Sequence, residues 1–340
     1  MTTIVLFGGR SDERHVSVAT AQNVARTLGN PLLWFWAPDG SIHDVGANEL
    51  LGHQRAFEVD FEPSRPAVWP DLEQALDTLP VDDPVFFLAL HGGEGEDGTV
   101  QRLMERRGIP FTGSGSEASA KAFDKGRGKE AVAGAVKTAE SRIARTPDEL
   151  DAIARDLLSR HAKIVLKPLA GGSSRGLYFL EHPDADVIAQ AAALRVPYIV
   201  EQFISGRELT VGVMDAGDGP MALPVIEVEV DPGRAFDYLG KYLGAGTREI
   251  CPANIPEDMA RAAQETAVAA HKALGCEGYS RSDLMAGEDG VYFLETNTLP
   301  GLTATSLVPK ELEVIGMAMK DFLELQLRLA RERVAAAARR

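Results

Sequence analysis

Short apolar runs separated by glycine-rich loops set the pattern of the first third of the chain. "TTIVLF" reads as a buried strand, followed by the loop "GGRSDER" and a helical pattern from His15 to Leu28. "PVFFLAL" reads as a second buried strand, and the loop "HGGEGEDG", the helix "TVQRLMERR" and the strand "IPFTG" follow it. Strands alternating with helices predict a parallel sheet, whose ligands gather at the carboxyl ends of its strands. Both glycine-rich loops lie at such ends.

From about Ala118 the pattern changes. "AKIVLKPLAGGSSRGLYFLE" is strand, glycine-rich loop and strand, with no helix after the glycines. "PYIVEQFISGRELTVGVMD" and "MALPVIEVEV" add strands of the kind found in mixed or antiparallel sheets. Helical patterns run from Pro256 to Leu274 and from Pro309 onward, the last ending in a basic "RLARERVAAAARR" that suits a helix C-terminus. No internal repeat and no long linker interrupts the chain.

One hairpin departs from this apolar economy. In "SRSDLMAGEDGVYFLETN", Arg281, Asp283, Glu295 and Asn297 stand among Leu284, Met285, Val291, Phe293 and Leu294. Polar groups on a core-facing strand need partners. With "EDG" as a three-residue loop, residue 287 pairs with 291, so Asp283 faces Glu295 and Arg281 faces Asn297 on one side of the hairpin. Two carboxylates and an amide oxygen side by side suit Mg²⁺, which keeps waters and substrate phosphates as its other ligands. For any single carboxylate a solvated strand face is the simpler reading. Convergence of four such residues beside a buried strand brings the ligand site level with it.

Composition acts by exclusion. The 340 residues suggest two or three domains with ample core. Hydrophobic residues make up 45% and charged ones 25%, which is globular rather than disordered. A net charge of -15 argues against non-specific nucleic-acid binding. Cys251 and Cys276 form no CxxC, so neither a disulfide framework nor a zinc-thiolate site is expected. The apolar run at the start is too short for a signal peptide or a membrane span, and the expected location is cytoplasmic.

The loop "KPLAGGSSRG" could hold phosphates on successive backbone N–H groups. It is neither a P-loop nor a dinucleotide fingerprint, since GxxxxGK[ST] is absent and "LYFLE" continues as a strand. Alone, it is more often only a flexible turn. Lys167 in the preceding strand shifts the balance, and with a Mg²⁺ face elsewhere it points to ATP phosphates held between two layers.

These residues resemble the ATP-grasp ligases and, within them, the D-alanine–D-alanine ligases. The matching segments are "FGGRSDERHVS", "LHGGEGEDGTVQ", "FTGSGSEASAKAFDKGRGK", "KPLAGGSSRG", "VEQFISGRELTVG", "FDYLGKY", "CPANIP", "GYSRSDLM" and "LETNTLPGLTATSLVPK". They occur in the family's order from about Ile4 to Pro309. The resemblance implies an α/β fold, α+β in part: an N-terminal parallel-sheet domain over residues 1–113, followed by two ATP-grasp subdomains, 114–204 and 205–340, that sandwich ATP. It implies ligation of two D-alanine molecules through a D-alanyl phosphate, with release of ADP and phosphate, for peptidoglycan precursor synthesis.

Roles follow position by position, as the resemblance implies them. Asp283, Glu295 and Asn297 would hold two Mg²⁺ ions, for which Mn²⁺ could substitute. Lys129 and Lys167 would contact phosphates, with Ser173 and Ser174 in the loop closing over them. Glu201, Phe203 and Ile204 would form the adenine edge, and Glu208 would take the ribose hydroxyls. Core packing is the plainer account of Phe203 and Ile204. Glu13 would bind the first substrate's ammonium, with His91 nearby; by themselves a first-turn carboxylate and a lone histidine read as structural. Arg281 and the Gly301 N–H would stabilise the tetrahedral oxyanion. Ser306 and the Leu307 N–H would receive the second substrate's carboxylate, using the free N–H groups of a helix start. Tyr242 would join Glu13 and Ser173 in closing a lid, "FDYLGKYLGAGTREICPANIP", with Lys241 facing the phosphates. Relatives that make D-alanyl-D-lactate lack the "KY" pair, so an amine acceptor is expected.

Some positions depart from the commonest family pattern: Arg175, Gly171, Phe236, Arg102 and His15. None removes a metal ligand or a phosphate lysine. They leave room for a ligase of the same build joining a different amino-acid pair. A silent nucleotide-binding protein should have lost metal ligands or Arg281, and this chain keeps them. Homodimers are common in the family, but no residue pattern here specifies one.

Overall fold

The computed structural model describes residues 2–171, 176–230, 247–337 and 339. Three sheets follow one another along the chain. The first contains β1 (Thr2–Gly8), β2 (Leu32–Trp36), β3 (Ile42–Val45) and β4 (Pro84–Leu88), in the order β3-β2-β1-β4. β1 is parallel to both β2 and β4, as the strand–helix alternation predicts, while β3 is an antiparallel edge. The run in β1 is unbroken because both faces are covered. Val5 and Phe7 pack with the helix Arg14–Leu28 and with Phe322, Leu323 and Leu327 of the last helix. Ile4 and Leu6 pack on the other side with Val100 and Met104.

The expected strand "IPFTG" is reduced to a single parallel bridge between Phe111 and Phe86. Pro110 has no N–H to extend the ladder, and at Gly113 a φ of +85° turns the chain away. The Thr112 hydroxyl accepts the Leu88 N–H at 3.1 Å, in place of a further backbone pair.

The second sheet is antiparallel, with β5 (Ser141–Ala144), β6 (Ile164–Pro168), β7 (Tyr178–Leu180) and β8 (Tyr198–Gln202) in the order β5-β8-β6-β7. The helix Pro147–Leu158 buries Leu150, Ile153, Ala154 and Leu157 against it, a spacing that keeps one helical face apolar. Thr146 and Glu149 form a capping box at its start, with Pro147 in the first turn.

The third sheet holds β9 (Gly206–Asp215), β10 (Pro220–Ala222), β11 (Ile226–Val230), β12 (Thr247–Ile250), β13 (Tyr279–Gly287) and β14 (Gly290–Asn297). Its order is β12-β11-β9-β13-β14, with β10 also on β9. The helix Glu257–Leu274 lays Ala263, Ala267, Ala270 and Leu274 on Leu209, Val211, Leu284 and Phe293. Small side chains at this spacing let helix and sheet approach closely.

The polar hairpin is built differently from expectation yet pairs the same residues. Its turn has two residues, not three: Gly287 pairs with Gly290, and Leu284 with Phe293. A bulge between Asp283 and Leu284 then absorbs one residue, so that Asp283 pairs with Glu295 and Arg281 with Asn297 after all. Gly290, at φ +134°, supplies the conformation the tighter turn requires. The helical pattern from Pro309 resolves into two helices, Leu307–Val314 and Met319–Ala337, broken at Gly316, where φ is +71°. The second returns to the first sheet, and Arg333 fastens it by donating to Phe111 O at 2.8 Å and Gly113 O at 2.7 Å. Among the described residues, no helix is long and apolar enough to cross a membrane.

Candidate active site

Charged side chains from the second and third sheets meet at one place. On β8, the buried Glu201 accepts from two lysines: Lys129, on the helix Lys125–Val132, and Lys167, on β6, at 2.7 Å. Burial and the nearby Lys167 pull the Lys129 pKa below the usual lysine value, against the opposing pull of Glu201. For Lys167 burial acts in the same direction, but Glu201, Glu295 and Glu208 outweigh it and raise the pKa. Burial would raise the Glu201 pKa; the two lysines outweigh it and hold the carboxylate ionised. The two lysines and the adenine-edge acid expected from the sequence thus share one buried ion cluster.

Lys125 was not among the expected residues. Its ammonium lies 3.2 Å from Glu295 Oε2 and donates to Gly171 O at 2.7 Å, so it spans from the end of β14 to the glycine-rich loop. It stands four residues before Lys129 in "DKGRGK", and only the tertiary contacts tell the two apart: Lys129 turns to Glu201, Lys125 to Glu295.

On β13, Arg281 donates to both oxygens of Asp283 from Nε and Nη2, each at 3.0 Å. Thr210 on β9 adds a hydroxyl bond to Asp283 Oδ1 at 2.7 Å. Asn297 Oδ1 accepts the Leu299 N–H at 2.7 Å, which fixes the orientation of its amide. Thr210 and Lys125 both lie in segments that match the family, but their contacts to Asp283 and Glu295 cross between distant elements and show only in the packed structure.

Phe203 stacks edge-on to Phe179, centroids 5.8 Å apart, and the Lys163 ammonium stands 4.8 Å above its ring. Ile204 lies against Gly287, and Glu208 pairs in register with Met285. Both readings of Phe203, packing and a ligand-facing edge, fit this half-buried position.

At the first sheet the two glycine-rich loops touch. A side chain on Gly92 would run into the Ser11 hydroxyl and the Glu13 carboxylate, so the glycine is what lets the loops close together. Glu13 caps the helix Arg14–Leu28 by position, without a side-chain cap bond. His91 is buried, with Nε2 2.9 Å from Thr20 Oγ1 and Nδ1 3.7 Å from Glu96 Oε1, an arrangement that holds the loop in place. His15 and Arg14 both bind Asp60, which accounts for a base where an acid is common.

Ser306 precedes the helix Leu307–Val314 but does not cap it; its hydroxyl lies 2.7 Å from Thr303 Oγ1 and accepts the Thr303 N–H at 3.1 Å. The Ser306 side chain therefore accepts from none of the first N–H groups of that helix. Gly301 is buried in the preceding loop. Ser173, Ser174, Lys241 and Tyr242 lie outside the described residues, as do Arg175 and Phe236.

The family model described as D-ala D-ala ligase N-terminus matches residues 2–114, and that described as D-ala D-ala ligase C-terminus matches residues 148–327. The chain belongs to the D-alanine–D-alanine ligase family. A D-alanine–D-alanine ligase of Cereibacter sphaeroides is 39% identical over 323 residues, which is 94% of this chain and 92% of that protein. Among solved structures, a D-Ala:D-Ser ligase from Enterococcus faecalis superposes with a TM-score of 0.81 at 28% identity, covering 97% of this chain and 99% of that one. A Bacillus anthracis D-alanine–D-alanine ligase solved with ATP shares the fold, with a TM-score of 0.72 at 24% identity, over 99% of both chains. The ATP-grasp architecture expected from the sequence holds for this chain.

Seen as a ligase site, the Lys129–Glu201–Lys167 cluster carries strong electrostatic consequences for folding as well. The folded Glu201 pKa lies below its unfolded value, so its contribution is present above the unfolded pKa and lost as pH falls through the folded one. Glu201→Gln should lower the unfolding free energy by about 3–5 kcal/mol near neutral pH, since two buried lysines lose their counter-ion. In denaturant titrations that deficit should shrink once pH falls below about 4.3, the ordinary glutamate value. A variant as stable as the parent at pH 7 would show that the cluster is not held by charge.

Proposed function

We propose that the chain joins two D-alanine molecules to D-alanyl-D-alanine, consuming ATP and releasing ADP and phosphate for peptidoglycan precursor synthesis in the cytoplasm. What supports this reading within the molecule is that Lys125 pairs with Glu295 of the Asp283–Glu295–Asn297 face, and that Lys167, which shares Glu201 with Lys129, lies within the field of the same Glu295. Phosphoryl transfer needs charge neutralisation and alignment more than covalent help, and this is the chemistry such an arrangement supplies.

In this reading the γ-phosphoryl group passes to a carboxylate oxygen of the first D-alanine, held through its ammonium by Glu13. Lys125, Lys129 and Lys167 exchange their carboxylate partners for phosphate oxygens as ATP enters. The amine of the second D-alanine, once deprotonated, attacks the acyl carbon; the C–N bond forms, and phosphate leaves with the oxygen it received. Arg281 and the Gly301 N–H face the oxyanion formed in that attack. Ser306 and the Leu307 N–H hold the acceptor carboxylate. Residues 1–113 form the substrate domain, and 114–204 and 205–340 the two ATP-grasp subdomains.

The donor set fits Mg²⁺. Among the described residues no three His, Cys, Asp or Glu side chains group into a metal site of their own. Asp283, Glu295 and the oriented oxygen of Asn297 are hard-oxygen ligands of the kind Mg²⁺ shares with phosphates and water. Bound there, two Mg²⁺ ions would neutralise charge on the transferring phosphoryl group.

Phosphate release from ATP should depend on D-alanine across a panel of D- and L-amino acids, with ADP and D-alanyl-D-alanine as products. AMP and pyrophosphate, or a stronger response to another amino acid, would contradict the assignment. Thr210→Val keeps the side-chain shape and removes the hydroxyl bond to Asp283. It should raise the Mg²⁺ concentration for half-maximal turnover by about 10–100-fold, the scale for losing a group that orients a ligand. An unchanged Mg²⁺ requirement would detach Thr210, and with it Asp283, from the metal.

A further inference from the structure

Glu311, on the helix Leu307–Val314, is fully buried, and no part of the reaction described above uses it. Its Oε1 accepts the backbone N–H of Gly212 on β9 at 2.7 Å, ninety-nine residues away in sequence. The reason lies in a break along β9. On the side away from β13, β11 covers β9 as far as Thr210, and β10 takes over at Val213. Between these two strands the chain passes Leu223, Pro224 and Val225 without pairing. Leu223 donates to Gly212 O at 2.7 Å, but no strand offers an acceptor to the Gly212 N–H. Glu311 fills that place, and a buried N–H left without an acceptor is costly.

The residue at 212 makes the contact possible. A Cβ there would collide with Glu311 Oε2 and stand 2.8 Å from Leu223 Cδ1. Gly212 is also the register partner of Arg281 on β13. At the other end of the same helix, Ser306 and Leu307 begin about 7 Å along the axis from Glu311, within one rigid element. The carboxyl therefore fastens the element that starts at Ser306 to the backbone beside Arg281.

We propose that Glu311 is a positioning residue, which sets the acceptor D-alanine's carboxylate at the start of the helix Leu307–Val314 against the acyl carbon facing Arg281, by tying that helix to Gly212. This rests on the reading of Ser306 and the Leu307 N–H as the acceptor site. The side chain acts as a hydrogen-bond acceptor through Oε1. Burial pushes its carboxyl well above the usual range; the Gly212 N–H and Arg281 oppose that rise and Asp283 adds to it. Oε2 has no hydrogen-bond partner among the described residues. Glutamine, with a carbonyl in the place of Oε1, is then a faithful substitute, and methionine, of similar length with no acceptor, is not.

The test compares two acceptors with the full-length protein. Dipeptide formation needs the acceptor's carboxylate held; hydroxylamine, which traps D-alanyl phosphate as the hydroxamate, has no carboxylate to hold. Glu311→Met should lower acceptor kcat/KM for dipeptide formation by about tenfold or more while hydroxamate formation stays within about twofold, the scale expected of misplacement without loss of the catalytic groups. Glu311→Gln should restore dipeptide formation. An equal loss of both products in Glu311→Met, no loss of either, or a Gln variant as impaired as Met would overturn the positioning role. If the Met variant does not fold, Glu311→Ser admits water to the Gly212 N–H and serves in the same comparison. Ser306→Ala separates the two claims. If it leaves the acceptor KM unchanged, the acceptor-site reading fails; if it raises that KM beside a silent Glu311→Met, only the role of Glu311 fails.

Discussion

Pairing of β9 with β13, unbroken from Tyr279–Met214 to Gly287–Gly206, is the constraint on which the site depends. It sets Thr210 against Asp283 and Gly212 against Arg281, so the neighbours of both charged residues are fixed by backbone register. A slip of one residue would turn Arg281 and Asp283 to the opposite face and put Ser280 and Ser282 in their place. The helix Glu257–Leu274 prevents this by burying Leu209, Val211 and Leu284 on the other side. Apolar packing on one face thus fixes electrostatic geometry on the other.

Ion pairs within the site show how the folded chain balances its buried charge. Lys129 and Lys167 lie on Glu201, Lys125 on Glu295, and Arg281 on Asp283. Each acid is satisfied by a base that, in the proposed function, substrate would engage instead. Buried unpaired charge is expensive, whereas exchange of one anionic partner for another costs far less. In the function we propose, triphosphate would take over the lysines while their former partners turn to adenine and metal. On that proposal, the interactions that stabilise the folded chain would be the ones that substrate binding redistributes.

The sequence revealed those parts of the fold and site that carry a local signature. The alternation of apolar runs and helices in residues 2–88 gave the parallel core of the first sheet, and the hairpin's polar residues paired as expected. That second success came through two features no pattern announced, a tighter turn and a bulge at Asp283/Leu284 that offset each other. "IPFTG" looked like a strand because its residues are apolar, but Pro110 and Gly113 prevent a ladder from growing there. Thr210, Lys125 and Glu311 escaped notice because their importance lies in contacts across 73, 170 and 99 residues, respectively. A threonine in a strand and a glutamate in a helix look ordinary until the strand and helix are packed.

If the charged face assembles phosphoryl transfer to a carboxylate, an oxygen atom of the first D-alanine must leave with the phosphate. D-alanine labelled with oxygen-18 in its carboxyl group, incubated with ATP and Mg²⁺, tests this directly when the released phosphate is analysed by mass. One labelled oxygen in each phosphate formed is the expected result. Unlabelled phosphate accompanying dipeptide, or label appearing in AMP, would contradict it.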